Sequence, residues 1–430
     1  MQIAMKRYLL FWLAVSSTLL LAVAAFNLVI DPYGVFRLVN LPGLNSIKPA
    51  AASHGAMAKA YQVRRIQPRA LIMGNSRAEV GFDPEHPAWP ELNRPVFNLA
   101  LPGTGTATSL RYLQHALAPG DGAPAVTPAA VVWGIDIADF LVDANRPRRP
   151  FVLAHADRRL RIDPSSSASS SRWLQEVRDE AESIFTMGAL LDSVQTLRSQ
   201  KSPYTEDMTP LGFNPMRDYL KITADEGYWN VFRQKDHENI KAYLRRPRDI
   251  FQGTGRSSSA WDDFKTVLRL CQQHNIALHL VIYPYHARLQ EIIRITGHWP
   301  AFEAWKRELV RILDEESVMV TQRSAVLWDF SGFNDITMER IPAQGDRQTK
   351  MLWYWEAGHF KRELGDLVLD RILGRSDVPA GFGVLLNTSR VEAHLVTLRS
   401  QEADYRRTYP QDVEALERFA ADVAARQKTH

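Results

Sequence analysis

Between Tyr8 and Ile30 the chain carries 23 consecutive residues without a charge, YLLFWLAVSSTLLLAVAAFNLVI, preceded by Lys6 and Arg7 and followed by Asp31. No other feature restricts the fold as much, because at about 1.5 Å per helical residue such a run covers a bilayer core of about 30 Å. The basic flank lies on the N-terminal side, so the N-terminus is expected in the cytoplasm and the remaining chain on the exported side. The expectation is a single-pass inner-membrane protein with a periplasmic C-terminal domain. A cleaved signal peptide is the competing reading, with Ala22–Ala25 as the small residues for processing, but an h-region usually runs only about 7–15 residues. No second apolar run of about 18 residues follows, so one crossing is expected.

The rest of the 430 residues has a globular composition, 45% hydrophobic and 23% charged. Its 52 basic and 48 acidic residues are too evenly balanced to draw a polyanion by bulk field. Phosphate loops and aromatic-basic interleaving are also lacking, so no nucleic-acid partner is expected. Cys271 is the single cysteine, which rules out an intrachain disulfide and a thiolate metal cluster. No cofactor is called for.

Residues 1–30 read as the transmembrane anchor and 31–65, rich in Pro, Gly, Asn and Ala, as a juxtamembrane linker. Then short apolar runs close on glycine or proline turns: Arg69–Met73 before Gly74, Val96–Ala100 before Pro102-Gly103, and Ala129–Trp133 before Gly134. Ala107–Leu117 has helical spacing between the second and third. The alternation returns with helix Trp261–His274, strand Ala277–Tyr283, helix Phe302–Glu315, strand Ala325–Phe330 and helix Arg362–Leu373. About five strands interleaved with helices predict an α/β fold with a parallel sheet, carried by 66–144 and 259–374. Residues 145–258, with basic Arg146–Arg149, the serine tract Ser165–Ser171 and an amphipathic Trp173–Phe185, read as an inserted helical subdomain. The serine tract reads as a solvated linker, and 375–430 as a helical, charged C-terminal appendage.

Reactive groups in open α/β sheets gather at the carboxyl ends of the strands. Ser76 stands three residues past the first strand in LIMGNSRAEVG, where a serine at a helix N-terminus has free N–H groups beside it for an acyl oxyanion. Taken alone the segment reads better as an N-cap serine. Near the other end, WYWEAGHFKREL places Glu356 three residues before His359, in a loop or on one helical face. An imidazole to take the serine proton and a carboxylate to fix its tautomer are what a serine nucleophile needs. A metal reading ranks below this, because His-Glu-x-x-His is absent and no nearby histidine completes a zinc set. His286, after the fourth strand, is either a substrate contact or a plain turn histidine. Asn75 and Arg77 flank Ser76, and Arg77 has the geometry to hold a sugar carboxylate, with a surface salt bridge as the default.

A serine after the first strand, a glycine after the second, a polar residue after the third and an acid-x-x-His before the last helix resemble the SGNH hydrolase-like superfamily. More narrowly, the chain is similar to the membrane-anchored SGNH-like proteins of cell-surface polysaccharide acylation, relatives of alginate O-acetylation and D-alanyl transfer proteins. That resemblance implies a flavodoxin-like three-layer α/β/α fold, Ser76 as nucleophile, and the N–H groups of Ser76 and Gly103, in NLALPGTG, as oxyanion donors. Where the superfamily has G-x-N-D, this chain has Gly134-Ile135-Asp136. An ionised aspartate accepts hydrogen bonds and cannot donate one to an oxyanion, which leaves the third donor open. The acid is usually aspartate; here it is Glu356, one methylene longer and still used in Ser-His-Glu hydrolases.

Two functions follow as expectations. In the first, the acyl-serine passes its acyl group to a polysaccharide hydroxyl or to water, which makes the chain an acyltransferase or esterase whose partners are the polysaccharide, an acyl donor and, in the membrane, an acyltransferase. In the second, a catalytically idle domain binds polysaccharide or that membrane partner, and Asp136 is the feature that favours it.

Overall fold

A computed structural model describes residues 2–119, 126–145, 155–162, 166–317 and 325–428. The chain is mixed α/β and divides into two compact units, Met1–Ile66 with Val152–Asp218 and Gln67–Phe151 with Tyr219–His430. With elements numbered in chain order, the first unit holds helices α1 (Gln2–Ile30), α2 (Gly55–Ile66), α5 (Ser166–Phe185) and α6 (Met187–Ser199).

α1 is long and apolar enough to cross a membrane. Among its described side chains only Ala24, Asn27 and Ile30 are buried. Residues 31–65 are not a free linker. The Asp31 carboxylate accepts from the amides of Val35 at 2.9 Å and Arg37 at 2.7 Å. Lys48 Nζ donates to the carbonyls of Ile30 and Asp31 at 2.7 and 2.8 Å, and Asn45 Nδ2 to that of Val29 at 2.8 Å. The last carbonyls of a helix lack intrahelical partners and carry partial negative charge. The polar residues that suggested a linker are spent on capping α1. The serine tract is likewise not a linker: Ser166–Ser171 form the first turns of α5. Serine costs less than about 0.7 kcal/mol per helical residue against alanine, a penalty that the packed turns after it outweigh. Arg146–Arg149 and Ser165 lie outside the described residues.

The second unit is built on a six-stranded sheet ordered β2-β1-β3-β4-β5-β8. Its strands are β1 (Ala70–Met73), β2 (Val96–Asn98), β3 (Ala130–Ile135), β4 (Ala277–Ile282), β5 (Val326–Asp329) and β8 (Val384–Leu386), the first five parallel. β1 and β3 are buried at every position, as strands covered on both faces are. A separate antiparallel hairpin pairs β6 (Tyr354–Glu356) with β7 (His359–Phe360). The helices are α3 (Ser76–Gly81), α4 (Thr106–Leu117), α8 (Tyr228–Arg245), α9 (Ser259–Gln273), α10 (Ala287–Ile295), α11 (Trp299–Ser317), α12 (Arg362–Ile372), α13 (Val391–Thr408) and α14 (Pro410–Lys428), while α7 (Arg217–Glu226) spans the unit boundary in sequence. A 2-1-3-4-5 order reverses its direction of strand addition between β1 and β3, and that switch point opens a crevice at the carboxyl ends.

Two expected boundaries are corrected. Residues 145–258 are not one insertion: Val152–Asp218 belongs to the first unit, while α8 packs on α10 and α14 of the second. Nor is 375–430 an appendage. β8 pairs antiparallel with β5, Leu327 opposite Leu386, and α13 packs on α11 with Leu395 and Leu398 buried. β8 covers the edge of β5, since a bare edge strand is a liability, and the apolar stripe of α13 is buried against α11. Lys306 Nζ, on α11, reaches Asp329 Oδ2 at 2.6 Å, and His394, on α13, meets the same oxygen at 2.9 Å.

Candidate active site

Ser76 is positioned by the turn that ends β1. Gly74 has φ +140°, and a Cβ there would press on the Tyr283 hydroxyl and stand 2.8 Å from the Gly134 carbonyl. Gly134 meets the same tyrosine, so both glycines are required for Tyr283 to lie under the crevice. Asn75 is the N-cap of α3; its side chain accepts from the Arg77 amide at 3.1 Å and its carbonyl takes the amides of Ala78 and Glu79. Among the described residues the Ser76 amide has no acceptor, which leaves one N–H free beside the hydroxyl it belongs to.

Glu356 and His359 face each other across the β6–β7 turn, neither in a loop nor on a helical face. His359 Nδ1 is in short contact with Glu356 Oε1, and the second oxygen of that carboxylate accepts from the Gly358 amide at 2.7 Å. His359 Nε2 lies 2.8 Å from Ser76 Oγ. The three groups stand in series, acid buried and imidazole 26% exposed. Burial alone would push the Glu356 carboxyl up, but His359, the Gly358 N–H and the Arg77 guanidinium together hold it below the usual carboxylate range.

No family model matches this sequence, and comparison with curated proteins gave no match.

What holds serine and histidine in register is a close crossing of α3 and α12. A Cβ on Gly365 would overlap the Gly81 carbonyl, and one on Gly81 would overlap the Phe360 ring, next to His359. Neither glycine stands out in the sequence, because the crossing is visible only once both helices are placed.

The remaining expected site residues divide. Asp136 ends β3 on the same sheet edge, where its Oδ2 accepts from the Arg77 guanidinium and from Asn75 Nδ2 at 3.4 Å, and its Oδ1 from the Ala138 amide at 2.9 Å. Both oxygens accept, so Asp136 is no oxyanion donor. Arg77, expected on a substrate carboxylate or at the surface, is instead turned inward, with its guanidinium 5.4 Å from the Tyr285 ring centre and 5.9 Å from that of Tyr283. Asn75, Arg77 and Asp136 therefore brace the Ser76 turn. Gly103 lies in the turn after β2 with φ +68° and open space where a side chain would be.

His286 is buried in the turn before α10. It caps α10, its Nδ1 accepting from the Arg288 amide at 3.1 Å and its Nε2 donating to the Glu339 carbonyl at 2.9 Å. Burial pushes its pKa down to about 4, so the ring is neutral. It forms part of the wall of a cavity of about 440 Å³ lined also by Trp229, Tyr405 and Phe419. Asp139, unmarked in the sequence, packs against Gly105 near Asp136; burial and the Asp136 charge raise its pKa well above the carboxylate range. Among the described residues no three His, Cys, Asp or Glu side chains converge as a metal site.

Proposed function

We propose that this chain is a membrane-anchored SGNH-like serine acyltransferase or esterase acting on O-acyl groups of a cell-surface polysaccharide. The observation that carries the reading is the unbroken series Ser76 Oγ, His359, Glu356, with 2.8 Å between hydroxyl and imidazole. In the forward step His359 Nε2 removes the Ser76 proton as Oγ attacks the acyl carbonyl, and the oxyanion faces the free Ser76 amide. The imidazolium then protonates the leaving alkoxide, which leaves an acyl-serine. A sugar hydroxyl or water, deprotonated by the same nitrogen, releases the acyl group. Glu356 keeps the proton on Nδ1 and offsets the imidazolium charge.

α1 supports the location: Lys6 and Arg7 remain in the cytoplasm, α1 crosses, and the catalytic unit works in the periplasm beside exported glycan and a membrane acyl donor or acyltransferase. The switch-point position of Ser76 fits the three-layer α/β/α arrangement of the superfamily. One observation favours an idle, glycan-binding domain, namely that Asp136 is committed to Arg77 and Asn75 and gives no third donor.

The deciding experiment incubates the detergent-solubilised full-length protein with p-nitrophenyl acetate. Stoichiometric acetylation of Ser76, seen by mass spectrometry and lost in Ser76→Ala, is expected; no acetylation and no turnover would favour the idle domain.

A further inference from the structure

The last turns of α1 pack against α5 and α6, and two hydrogen bonds fix the level at which they meet. Asn27 Nδ2 donates to the Ile184 carbonyl at 2.9 Å, and Asn27 Oδ1 accepts from Ser193 Oγ at 2.8 Å. α6 is inside out for a helix in water. It buries Ala189, Ser193, Thr196 and Ser199, while Met187 and Leu191 are 68% and 63% exposed. The end of α5 repeats the pattern, with Ser183 buried and Phe185 exposed. A helix facing water buries its apolar stripe. Small and hydroxyl side chains at the contact with large apolar ones outside are instead what helices packed in lipid show.

Depth follows from length. Counted from Tyr8, the first residue past Lys6 and Arg7, a hydrocarbon core of about 30 Å at about 1.5 Å per residue is crossed in about 20 residues, which ends at Asn27. The groups bonded to Asn27 therefore stand at the outer boundary of the hydrocarbon, and side chains on the far face of α6 at that level meet acyl chains. We infer that the α5–α6 junction is a membrane-seated foot, with Phe185, Met187 and Leu191 inserted among the lipids of the outer leaflet beside the span. The foot rests on the reading of α1 as a bilayer-crossing helix.

The test places nitroxide labels on the full-length protein, in a Cys271→Ala background, reconstituted into phosphatidylcholine–phosphatidylglycerol vesicles with no other protein. Met187→Cys and Leu191→Cys carry the question, Leu13→Cys reports the span, and Lys221→Cys, exposed on α7, reports water. All four positions are exposed, so the fold is kept. Labels at 187 and 191 are expected to collide with oxygen in preference to a water-soluble nickel complex, with a ratio well above that at 221 and below that at 13. If they match 221 while 13 is immersed, the foot is overturned, the span stands, and a membrane protein becomes the occupant of that face. If 13 is itself aqueous, the span falls and the foot with it.

Discussion

Glu356 does two things that one substitution separates. Glu356→Gln keeps the shape but loses the charge and favours the wrong tautomer of His359, so ester turnover should fall by up to roughly 10⁴-fold with KM little changed. The same carboxyl is held below its ordinary value in the folded chain, so its contribution to stability is complete above the unfolded carboxylate range, near pH 4.3, and is lost as pH falls through the lower folded value. Denaturant titrations from about pH 5 to 2 should show a shallower loss of stability in Glu356→Gln than in the parent. Arg77 is tested differently: Arg77→Met leaves Asp136 buried without its cation, a loss of about 3–5 kcal/mol where such pairs are broken, read as a lowered urea midpoint. The convergence of Ser76, His359 and Glu356 was legible because a serine after a strand and an acid-x-x-His have a chemistry of their own. The brace was not, since Arg77 and Asp136 are 59 residues apart and their pairing depends on β1 and β3 being neighbours. A ring after a strand likewise gives no sign that both nitrogens of His286 are taken by backbone.

At the level of elements, the five parallel strands and their helices were readable from continuous apolar runs closed by glycine or proline. Three short strands were not: β6, β7 and β8 have three, two and three residues, too few for any period to register. The hairpin that carries Glu356 and His359 therefore reads in the sequence as a loop or one helical face. Gly365→Ala probes how α12 positions that hairpin against α3. With the Gly81 carbonyl in the way, the helices must separate; overpacking of this kind costs about 1–3 kcal/mol, and acyl turnover should fall more than a Tm shift alone explains. Asp329→Asn tests the union of α11, β5 and α13. It strands Lys306, fully buried, beside a neutral amide, and should cost about 3–5 kcal/mol in equilibrium unfolding.

On the scale of the whole molecule, the apolar run at the N-terminus was the plainest signal, whereas the way residues 31–66 and 152–218 combine was hidden, because the charged and amide side chains that cap α1 look like linker composition. A reporter fused after Asp31 should be active in the periplasm, and the full-length protein should sediment with membranes; recovery in the soluble periplasmic fraction would mean that the N-terminal helix is removed. The contact between Ser76 and His359 closes a loop of 283 residues. At about 5–20 residues per second, a ribosome needs roughly 15–60 s to travel from one to the other. Throughout that interval the nascent chain carries Ser76 without His359, so on the proposed mechanism a copy still on the ribosome has no means of attacking the esters around it.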